Sequence, residues 1–292
     1  MFSGSMVAIV TPMRQDGTVD FGAWQRLLEW HLASGTSAVV VGGTTGESAT
    51  LTDSELWELT ERACAQLGKR MQVVAGIGTS STASTVERAR RLSELPVDGF
   101  LVVTPAYNRP TQEGLYQHFA AVARTTRVPV IMYNVPTRTA VDMLPQTVQR
   151  LAQLPGLVAV KEAVPAQERV RELLSLCPRD FAILSGDDAT ARRSILLGAK
   201  GLISVTANVA PRAMSDMVAA AMKGDAAAAE RLDEPVAALH RDLFLEANPI
   251  PAKWALARMG MMEGGIRLPL TELSPQYQPA VLAALSTAGV LS

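Results

Sequence analysis

The sequence predicts a (β/α)8 barrel with a helical subdomain at its C-terminal end, and three observations lead to this fold class. Eight short apolar runs rich in β-branched residues recur at intervals of about 20 to 35 residues, the length of one βα unit. Segments with helical periodicity separate the runs. After Val209 the strand-like runs stop, whereas helix-like segments continue to the end of the chain.

Each of the eight runs is four residues long and short enough to be a strand buried on both faces. A doubly wound sheet is the rival arrangement, because alternation of strands and helices alone does not distinguish it from a barrel. The runs are residues 7–10, 38–41, 72–75, 100–103, 130–133, 158–161, 181–184 and 202–205.

Several helices have recognisable start signals. Thr52-Asp53-Ser54-Glu55 has the pattern of a capping box, Ser81 can cap the next helix, and Thr111 can cap the one after strand 4. We expect a catalytic barrel over residues 1–224 and a helical subdomain over residues 225–292. The helices predicted after the last strand are 211–223, 225–245, 250–259 and 276–291.

Composition excludes several classes of function. With 292 residues, 48% of them hydrophobic, the chain can bury a barrel-sized core. A formal net charge of −1 gives no reason to expect nucleic acid or a membrane surface as a partner. No signal peptide is recognisable, and no apolar run approaches the roughly 20 residues of a membrane-spanning helix. Cys64 and Cys177 lack metal-ligand spacing and suggest a reducing, cytoplasmic compartment, and three scattered histidines predict no metal site.

Lys161 is the first candidate catalytic residue. It ends the apolar run Leu157–Val160, which follows the turn-forming pair Pro155-Gly156. A lysine at the carboxyl end of a barrel strand lies where such barrels hold their chemistry, and poor hydration there lowers its pKa. Such an amine can form a Schiff base with a carbonyl substrate. The alternative is a lysine that merely marks the end of the strand.

The segment Gly42–Ser48 after strand 2 is a candidate binding turn. Its glycines let the backbone approach a ligand, and Thr44 and Thr45 offer hydroxyl groups and amides to a carboxylate or phosphate. It lacks the Gly-Lys-Ser/Thr ending of a nucleotide-binding P-loop. The alternative is a tight turn whose glycines only supply positive φ angles.

Two tyrosines and an arginine follow strands 4 and 5 on the same predicted rim. Tyr107 and Tyr133 could relay protons if a hydroxyl such as that of Thr44 orients the phenol, although buried tyrosines often serve only the core. Arg138 could bind a carboxylate with two parallel hydrogen bonds, although most loop arginines are simply solvated.

The ends of strands 7 and 8 complete the rim. Gly186 would let backbone approach a ligand, and Asp187 or Asp188 would cap the next helix. Residues 203–208 are small and apolar enough to form a pocket wall. Glu162, directly after Lys161, should point to the opposite face of the strand as readily as into the site.

Three of these segments together resemble the dihydrodipicolinate synthase family, whose members are also called 4-hydroxy-tetrahydrodipicolinate synthases. They are Gly42–Glu47, Tyr133–Thr139 and Val160–Ala163, and the likeness extends from Gly4–Pro12 to Asn248–Trp254. The family lies within the pyruvate-dependent class I aldolases, the superfamily of N-acetylneuraminate lyase. The lysine and glycine-rich motifs are typical of the whole superfamily.

The resemblance implies a reaction and a catalytic set. Pyruvate would condense with L-aspartate 4-semialdehyde in the first committed step of diaminopimelate and lysine synthesis. Lys161 would form the Schiff base with pyruvate. Tyr133, Thr44 and Tyr107 would relay protons, with Tyr107 contributed by the neighbouring subunit of a tight dimer. Like the family, the chain would assemble as a homotetramer of two dimers and use no organic cofactor and no metal.

The resemblance also implies a set of substrate-binding residues. Thr44 and Thr45 would hold the pyruvate carboxylate, and Arg138 would receive the carboxylate of the semialdehyde. Gly186 and the backbone of Ile203 would line the pyruvate pocket. Arg138 and Tyr107 favour the synthases over sugar-acid lyases of the same superfamily.

One departure concerns regulation. In lysine-inhibited members the feedback site lies at the dimer interface and uses imidazole, amide, carboxylate and phenol groups. This chain matches at Ser48 and Ala49, but Leu56 and Ala106 offer no polar partner to an ammonium or a carboxylate. We therefore predict weak or absent inhibition by L-lysine. The departing positions are Asp53, Leu56, Ser80, Ser84 and Ala106.

Three alternatives remain open at this stage. A related aldolase could act on N-acetylneuraminate or a 2-keto-3-deoxy acid. A catalytically silent homologue could act as a binding or regulatory protein, although the complete lysine, tyrosine and threonine set argues against it. A phosphate-binding barrel isomerase would need a glycine-rich phosphate loop near strands 7 and 8, and the sequence lacks a convincing one.

Overall fold

Eight parallel strands form a closed barrel in the computed structural model, which describes residues 2–291. Each strand pairs with the next along the chain, and the eighth pairs with the first. The closed ring confirms the predicted barrel and excludes a doubly wound sheet. The strands are β1 (Gly4–Ala8), β2 (Ala38–Val41), β3 (Gln72–Gly76), β4 (Gly99–Val103), β5 (Val130–Asn134), β6 (Leu157–Glu162), β7 (Ala182–Ser185) and β8 (Gly201–Ser204).

The largest error in strand placement concerns β1, which was predicted over residues 7–10. The strand begins at Gly4, whose N–H donates to Lys200 O (2.9 Å), because pairing with β8 starts at Gly201. It ends at Ala8, and the N–H of Val10 donates to the Asn208 side chain (2.9 Å). The polar Gly-Ser start of this strand carries no β-branched signal, which is why the sequence pattern missed it.

Helices connect the strands and cover the outside of the barrel. Among residues 2–291, no helix has both the length and the apolar character needed to cross a bilayer. The helices are α1 (Phe21–Ala33), α2 (Asp53–Leu67), α3 (Thr82–Leu92), α4 (Gln112–Thr125), α5 (Pro136–Thr139), α6 (Pro145–Leu151), α7 (Gln167–Leu176), α8 (Asp188–Leu197), α9 (Pro211–Met222), α10 (Ala226–Asp233), α11 (Ala237–Asp242), α12 (Ile250–Arg258) and α13 (Gln278–Thr287).

The predicted caps are confirmed. Thr52 and Glu55 form a reciprocal capping box at the start of α2. The Glu55 N–H donates to the Thr52 hydroxyl (3.2 Å), and the Thr52 N–H donates to the Glu55 carboxylate (2.9 Å). Ser81 accepts from Ser84 N at the start of α3, and Thr111 accepts from Gly114 N before α4. At the start of α8 the cap is Asp187 rather than Asp188.

The tail differs from the predicted set of four helices. The expected helix over residues 225–245 is wrong: α10 and α11 are separated by a 3-10 turn at Glu234–Val236. Pro235 lies in this turn and lacks the N–H that a continuous helix requires. Helices α10 and α11 pack against α8, and the tail shares one apolar cluster with the barrel, to which Leu239, Leu285 and Ile195 all belong. The domain boundary at residue 224 stays a prediction.

Two apolar layers follow from the alternation of side chains along the strands. Met6 and Ala8 of β1 belong to the cluster inside the barrel, whereas Val7 belongs to the cluster between the sheet and the helices. By the same alternation, Tyr133 and Lys161 face the interior. The next residue of each strand, Asn134 in β5 and Glu162 in β6, faces the outer layer.

Candidate active site

A cavity of about 580 Å³ opens at the carboxyl ends of the barrel strands. Its walls come from the ends of several strands and from a segment of the tail between α11 and α12, in the position typical of barrel enzymes. Among the residues that line it are Thr44, Thr45, Tyr133, Arg138, Lys161, Gly186, Asp187, Val205 and the segment 244–248.

Lys161 ends the inward face of β6 and is only 4% exposed. Its Nζ lies 4.3 Å from the centroid of the Tyr133 ring, the residue with which it pairs across β5 and β6. Burial lowers the pKa of the Lys161 amine from 10.5 to about 8; the charge of Asp188 opposes this shift and that of Arg138 adds to it. An appreciable fraction of the amine is therefore neutral and nucleophilic near neutral pH.

Tyr133 has the opposite property. Burial raises the pKa of its phenol to about 12, against the lowering influence of Arg138 and of a side-chain interaction with Thr44. The phenol therefore keeps its proton at neutral pH and can donate it to a neighbouring atom. A neutral amine beside a protonated phenol is a suitable arrangement for proton transfer during imine chemistry.

The turn after β2 is held rigidly against the rest of the barrel. A Cβ on Gly46 would lie 3.1 Å from Ile9 O, so only glycine fits this close approach without displacement. Thr45 is 1% exposed and accepts a hydrogen bond from Asn248 Nδ2 (2.9 Å). Glu47 forms a buried ion pair with Lys253 of α12. Thr44 remains at the cavity surface, where its hydroxyl can reach a ligand.

Arg138 lies in α5 on the open side of the cavity. One of its guanidinium nitrogens, Nη2, donates to Asn248 O (3.1 Å), which ties the arginine to the tail segment. The rest of the planar group keeps its donors for a carboxylate entering from solvent. The predicted placement of Arg138 near Lys161 in one cavity is therefore observed.

Gly186 lines the cavity, whereas Ile203 lies deeper, inside the barrel. The Gly186 N–H donates to Glu162 O (2.7 Å), and a Cβ on Gly186 would lie 3.0 Å from Cε of Lys161, so a side chain there would press on the amine. Ile203 is buried in the inner apolar cluster, and the wall at β8 comes from Val205. A role of the Ile203 backbone toward pyruvate stays a prediction.

Tyr107 is not brought to the cavity of its own chain. Its side chain is 94% exposed, and its backbone has a φ of 71°, which is unusual for a residue other than glycine. The loop is anchored by Asn108, whose Nδ2 donates to Ser80 O (2.8 Å). The loop thus holds Tyr107 out on the surface of this chain.

Two parts of the site were not predicted from the sequence pattern: the tail segment that forms one wall of the cavity, and a buried carboxylate that acts on Lys161. The segment Phe244–Asn248 forms one wall of the cavity, and nothing in its local pattern indicated this; only the likeness of Asn248–Trp254 to the family pointed to it. Asp188 was considered only as a helix cap, but its 3% exposed carboxylate accepts from Val205 N (2.9 Å) and acts electrostatically on Lys161. Within residues 2–291 no three His, Cys, Asp or Glu side chains are grouped so that they could hold a metal ion.

Comparison with known proteins gives a consistent result. A model of the dihydrodipicolinate synthetase family matches residues 1–288. The chain is 51% identical to the 4-hydroxy-tetrahydrodipicolinate synthases of Methylococcus capsulatus and Ectopseudomonas mendocina, and each alignment covers 100% of both chains. Among solved structures, it is similar to the chloride-inhibited dihydrodipicolinate synthase from Acinetobacter baumannii complexed with pyruvate. That similarity has a TM-score of 0.98 and 46% identity, with 100% of each chain covered.

Proposed function

The chain belongs to the dihydrodipicolinate synthetase family, and on that premise we propose that it is an enzyme that condenses pyruvate with L-aspartate 4-semialdehyde. The product is 4-hydroxy-tetrahydrodipicolinate, and the reaction is the first committed step of diaminopimelate and lysine synthesis. The observation that carries this proposal is the buried Lys161 amine against the ring of Tyr133, at the base of a cavity large enough for two small substrates.

The first step is imine formation. The neutral Nζ of Lys161 attacks the keto carbon of pyruvate, and the carbonyl oxygen leaves as water. The resulting iminium draws electrons from the adjacent methyl group, so that this group loses a proton and becomes an enamine carbon nucleophile. The amides and hydroxyls of Thr44 and Thr45 are suited to hold the pyruvate carboxylate during these steps.

Protons must move onto and off the reacting atoms in each of these steps. The Tyr133 phenol, with the Thr44 hydroxyl beside it, is placed to pass them between Nζ and the substrate. We assign the outer end of this relay to Tyr107 of a neighbouring subunit in a tight dimer. The exposure of Tyr107 and its anchored loop support this assignment.

The second substrate carries its own carboxylate, which Arg138 is placed to receive on the open side of the cavity. The enamine carbon attacks the aldehyde carbon of the semialdehyde, and the amino group of that substrate then displaces Lys161 and closes the ring. The covalent imine supplies the electron sink, so the proposal requires neither an organic cofactor nor a metal. We further propose a cytoplasmic homotetramer made of two such dimers.

A coupled assay with pyruvate and the semialdehyde tests the proposal on wild type and on Lys161→Ala. We expect turnover by wild type and a loss of about 1,000-fold or more in the variant, as for removal of a covalent nucleophile. Borohydride should trap pyruvate on wild type and not on the variant. Lys223→Ala removes an exposed lysine of α9's C-terminal cap and should behave as wild type.

Two outcomes would contradict the proposal in different ways. A wild-type protein that is trapped with pyruvate but turns over only N-acetylneuraminate or a 2-keto-3-deoxy acid is a sugar-acid aldolase of the same superfamily. A wild-type protein that takes up no pyruvate label is a silent homologue, or one whose Lys161 is only structural.

A further inference from the structure

Two successive residue pairs lie at the carboxyl ends of β5 and β6, and they face opposite sides of the barrel wall. Tyr133 pairs with Lys161, and the next pair is Asn134 with Glu162. Because side chains alternate along a strand, the first pair faces the cavity and the second faces the layer between sheet and helices. The outer layer is elsewhere apolar at this strand, as at Val160. The reacting pair is thus backed by a polar pair on the other side of the same wall.

The polar pair is buried, and its hydrogen bonds reach both of the loops that follow these strands. Asn134 is 0% exposed and Glu162 is 3% exposed, and Nδ2 of Asn134 lies 3.0 and 3.1 Å from the two carboxylate oxygens. Asn134 Oδ1 accepts the N–H of Met143 (2.9 Å) and Glu162 Oε1 accepts the N–H of Val164 (2.9 Å). The pair therefore connects the two strand ends with the segment between α5 and α6 and with the start of the segment after β6.

A second layer of charge encloses this pair on the outside. Arg169 of α7 places Nη1 at 3.7 Å from Glu162 Oε2 and donates from Nη2 to Asp142. Asp142 in turn accepts from Asn134 Nδ2 (2.8 Å). None of these four side chains lines the cavity, so none of them is placed to touch a substrate there.

Burial of these four polar side chains costs free energy, which their hydrogen bonds to one another must offset. A buried polar group left without a partner costs about 1 to 3 kcal/mol, and well-packed apolar side chains often replace a buried ion pair without loss of stability. Apolar packing tolerates small displacements, whereas a hydrogen bond specifies both distance and direction. A polar connection is therefore expected where two strand ends must keep a fixed relative position.

We propose that the Asn134–Glu162 pair is a positioning device that fixes the ends of β5 and β6 and so holds the Tyr133 phenol against the Lys161 amine for proton transfer. The inference rests on the proposed function, because it concerns the step that follows imine formation. Glu162 and Asn134 act through their neighbours in the chain, and neither exchanges a proton with the substrate.

Two variants of Glu162 separate the hydrogen bonds from the charge. Glu162→Ala leaves Asn134 Nδ2 without its carboxylate partner and the Val164 N–H without an acceptor. In Glu162→Gln the amide oxygen can replace Oε1, which accepts from both groups, and the losses are confined to Oε2, which lies 3.1 Å from Asn134 Nδ2 and 3.7 Å from Arg169 Nη1. We expect Glu162→Ala to lower kcat by about 10- to 100-fold, as for a displacement of reacting groups by a fraction of an ångström to 1 Å. Glu162→Gln should retain most of the wild-type kcat, and KM for pyruvate should change little in both.

The decisive readout compares two partial reactions with pyruvate alone. Borohydride trapping reports imine formation, and exchange of the pyruvate methyl protons with deuterated water reports proton transfer after it. In Glu162→Ala we expect exchange to fall by the same factor as kcat while the trapping rate stays near that of wild type. A residue that merely supports the fold would lower both rates together, in proportion to the folded fraction.

A matched control lies at the opposite end of the barrel. The carboxylate of Asp98 also accepts a backbone N–H, that of Val73 (2.8 Å), but it precedes β4 instead of following a strand. Asp98→Ala should lower thermal stability and leave both partial reactions at the wild-type rate. If Glu162→Ala fails to fold, Asn134→Ser removes the bonds from Nδ2 to the carboxylate, while Glu162 keeps Val164 and Arg169 as partners.

Each outcome decides the inference. Selective loss of exchange in Glu162→Ala or Asn134→Ser supports it. Exchange at the wild-type rate in a folded variant, or equal loss of trapping and exchange, overturns it. Absence of trapping or of exchange in wild type would count against the proposed function instead.

Discussion

The two ends of the barrel interior are built from different kinds of residue. At the amino-terminal end Phe2, Met6 and Val74 are at most 3% exposed, and the ring of Phe2 lies so close to Gly99 that a Cβ there would be 2.4 Å from it. At the carboxyl end a cavity of about 580 Å³ remains open, with Lys161 at its base. One end is a packed core, and the other is a site surrounded by buried charge.

This difference shows where the fold gains and loses stability. Close packing of apolar side chains at the closed end stabilises the barrel by about 25 cal/mol per Å² of buried apolar surface. Burial of ionisable groups at the open end costs free energy and shifts their pKa values. The carboxyl end is therefore tuned for chemistry at the expense of stability, and the amino-terminal end compensates for it. Substitution at the open end should therefore lower the rate without loss of stability, whereas substitution at the closed end should lower stability and leave the rate nearly unchanged.

Lys161→Met should give the largest effect on activity and should separate activity from stability most clearly. We expect activity to fall by about 1,000-fold or more, because the nucleophile is lost. The same substitution should raise the free energy of unfolding by about 1 to 3 kcal/mol at pH 7, because a buried amine with a pKa of about 8 is no longer charged in the folded state. The lowered pKa means that the native amine destabilises the fold below pH 8, so the gain should shrink as pH rises from 8 to 10.5. Thermal unfolding at several pH values measures this, and a loss of stability at pH 7 would contradict it.

Phe2→Ala should lower stability and leave activity nearly unchanged. Removal of a buried aromatic side chain leaves a cavity and costs about 3 to 5 kcal/mol. The kcat of the folded protein should stay within about twofold of wild type, since surface and core changes away from the site leave its geometry intact. Thermal unfolding measures the loss of stability and the coupled assay measures kcat, each with wild type in parallel. A kcat that falls in step with the melting temperature would mean that the two ends are not independent.

The order of the strands and the rim of the site could be predicted because their signals are local. A buried parallel strand is a short apolar run, and in a barrel its carboxyl end lies on the catalytic face. That reasoning placed Lys161, Tyr133, Arg138 and the turn at Thr44 and Thr45 around one cavity, as observed. The break at Pro235 also had a local signal, although the alanine-rich pattern around it outweighed the proline.

What could not be predicted depends on pairs of residues far apart in the chain. Asn248 reaches Thr45 across 203 positions, and Lys253 reaches Glu47 across 206. No periodicity carries such a contact, because it depends on how the tail packs against the barrel. The Asn134–Glu162 pair was also missed, since alternation allowed Glu162 to point away from the cavity but did not indicate what it would contact on the other face.

The pH dependence of imine formation tests the electrostatics of the open end directly. The Lys161 amine is neutral above about pH 8, so the rate of pyruvate trapping should rise about tenfold per pH unit well below 8 and level off above it. The charge of Asp188 raises the pKa of Lys161, and Asp188→Asn should therefore move the midpoint to lower pH. Trapping rates by mass spectrometry from about pH 6 to 12 give both midpoints. A wild-type midpoint near 10.5 would mean that the amine is not desolvated.

The smallest expected effect is that of free L-lysine, and it tests whether volume alone makes a binding site. A groove of about 620 Å³ lies between α2 and α3 and is as large as the catalytic cavity. Within it Asp53 is already paired with Arg88 (2.7 Å), Leu56 is 4% exposed and apolar, and the remaining charged groups of the lining are Glu87 and Arg91 of α3. An ammonium or a carboxylate buried against Leu56 would meet no polar partner there, and an unpaired polar group costs several kcal/mol.

We therefore expect half-inhibition by L-lysine only above about 1 mM, which corresponds to a binding free energy weaker than about 4 kcal/mol. Initial rates over a series of L-lysine concentrations, at constant ionic strength, measure it, with D-lysine as the matched control for nonspecific effects of charge. Stereoselective half-inhibition below 1 mM would contradict this prediction.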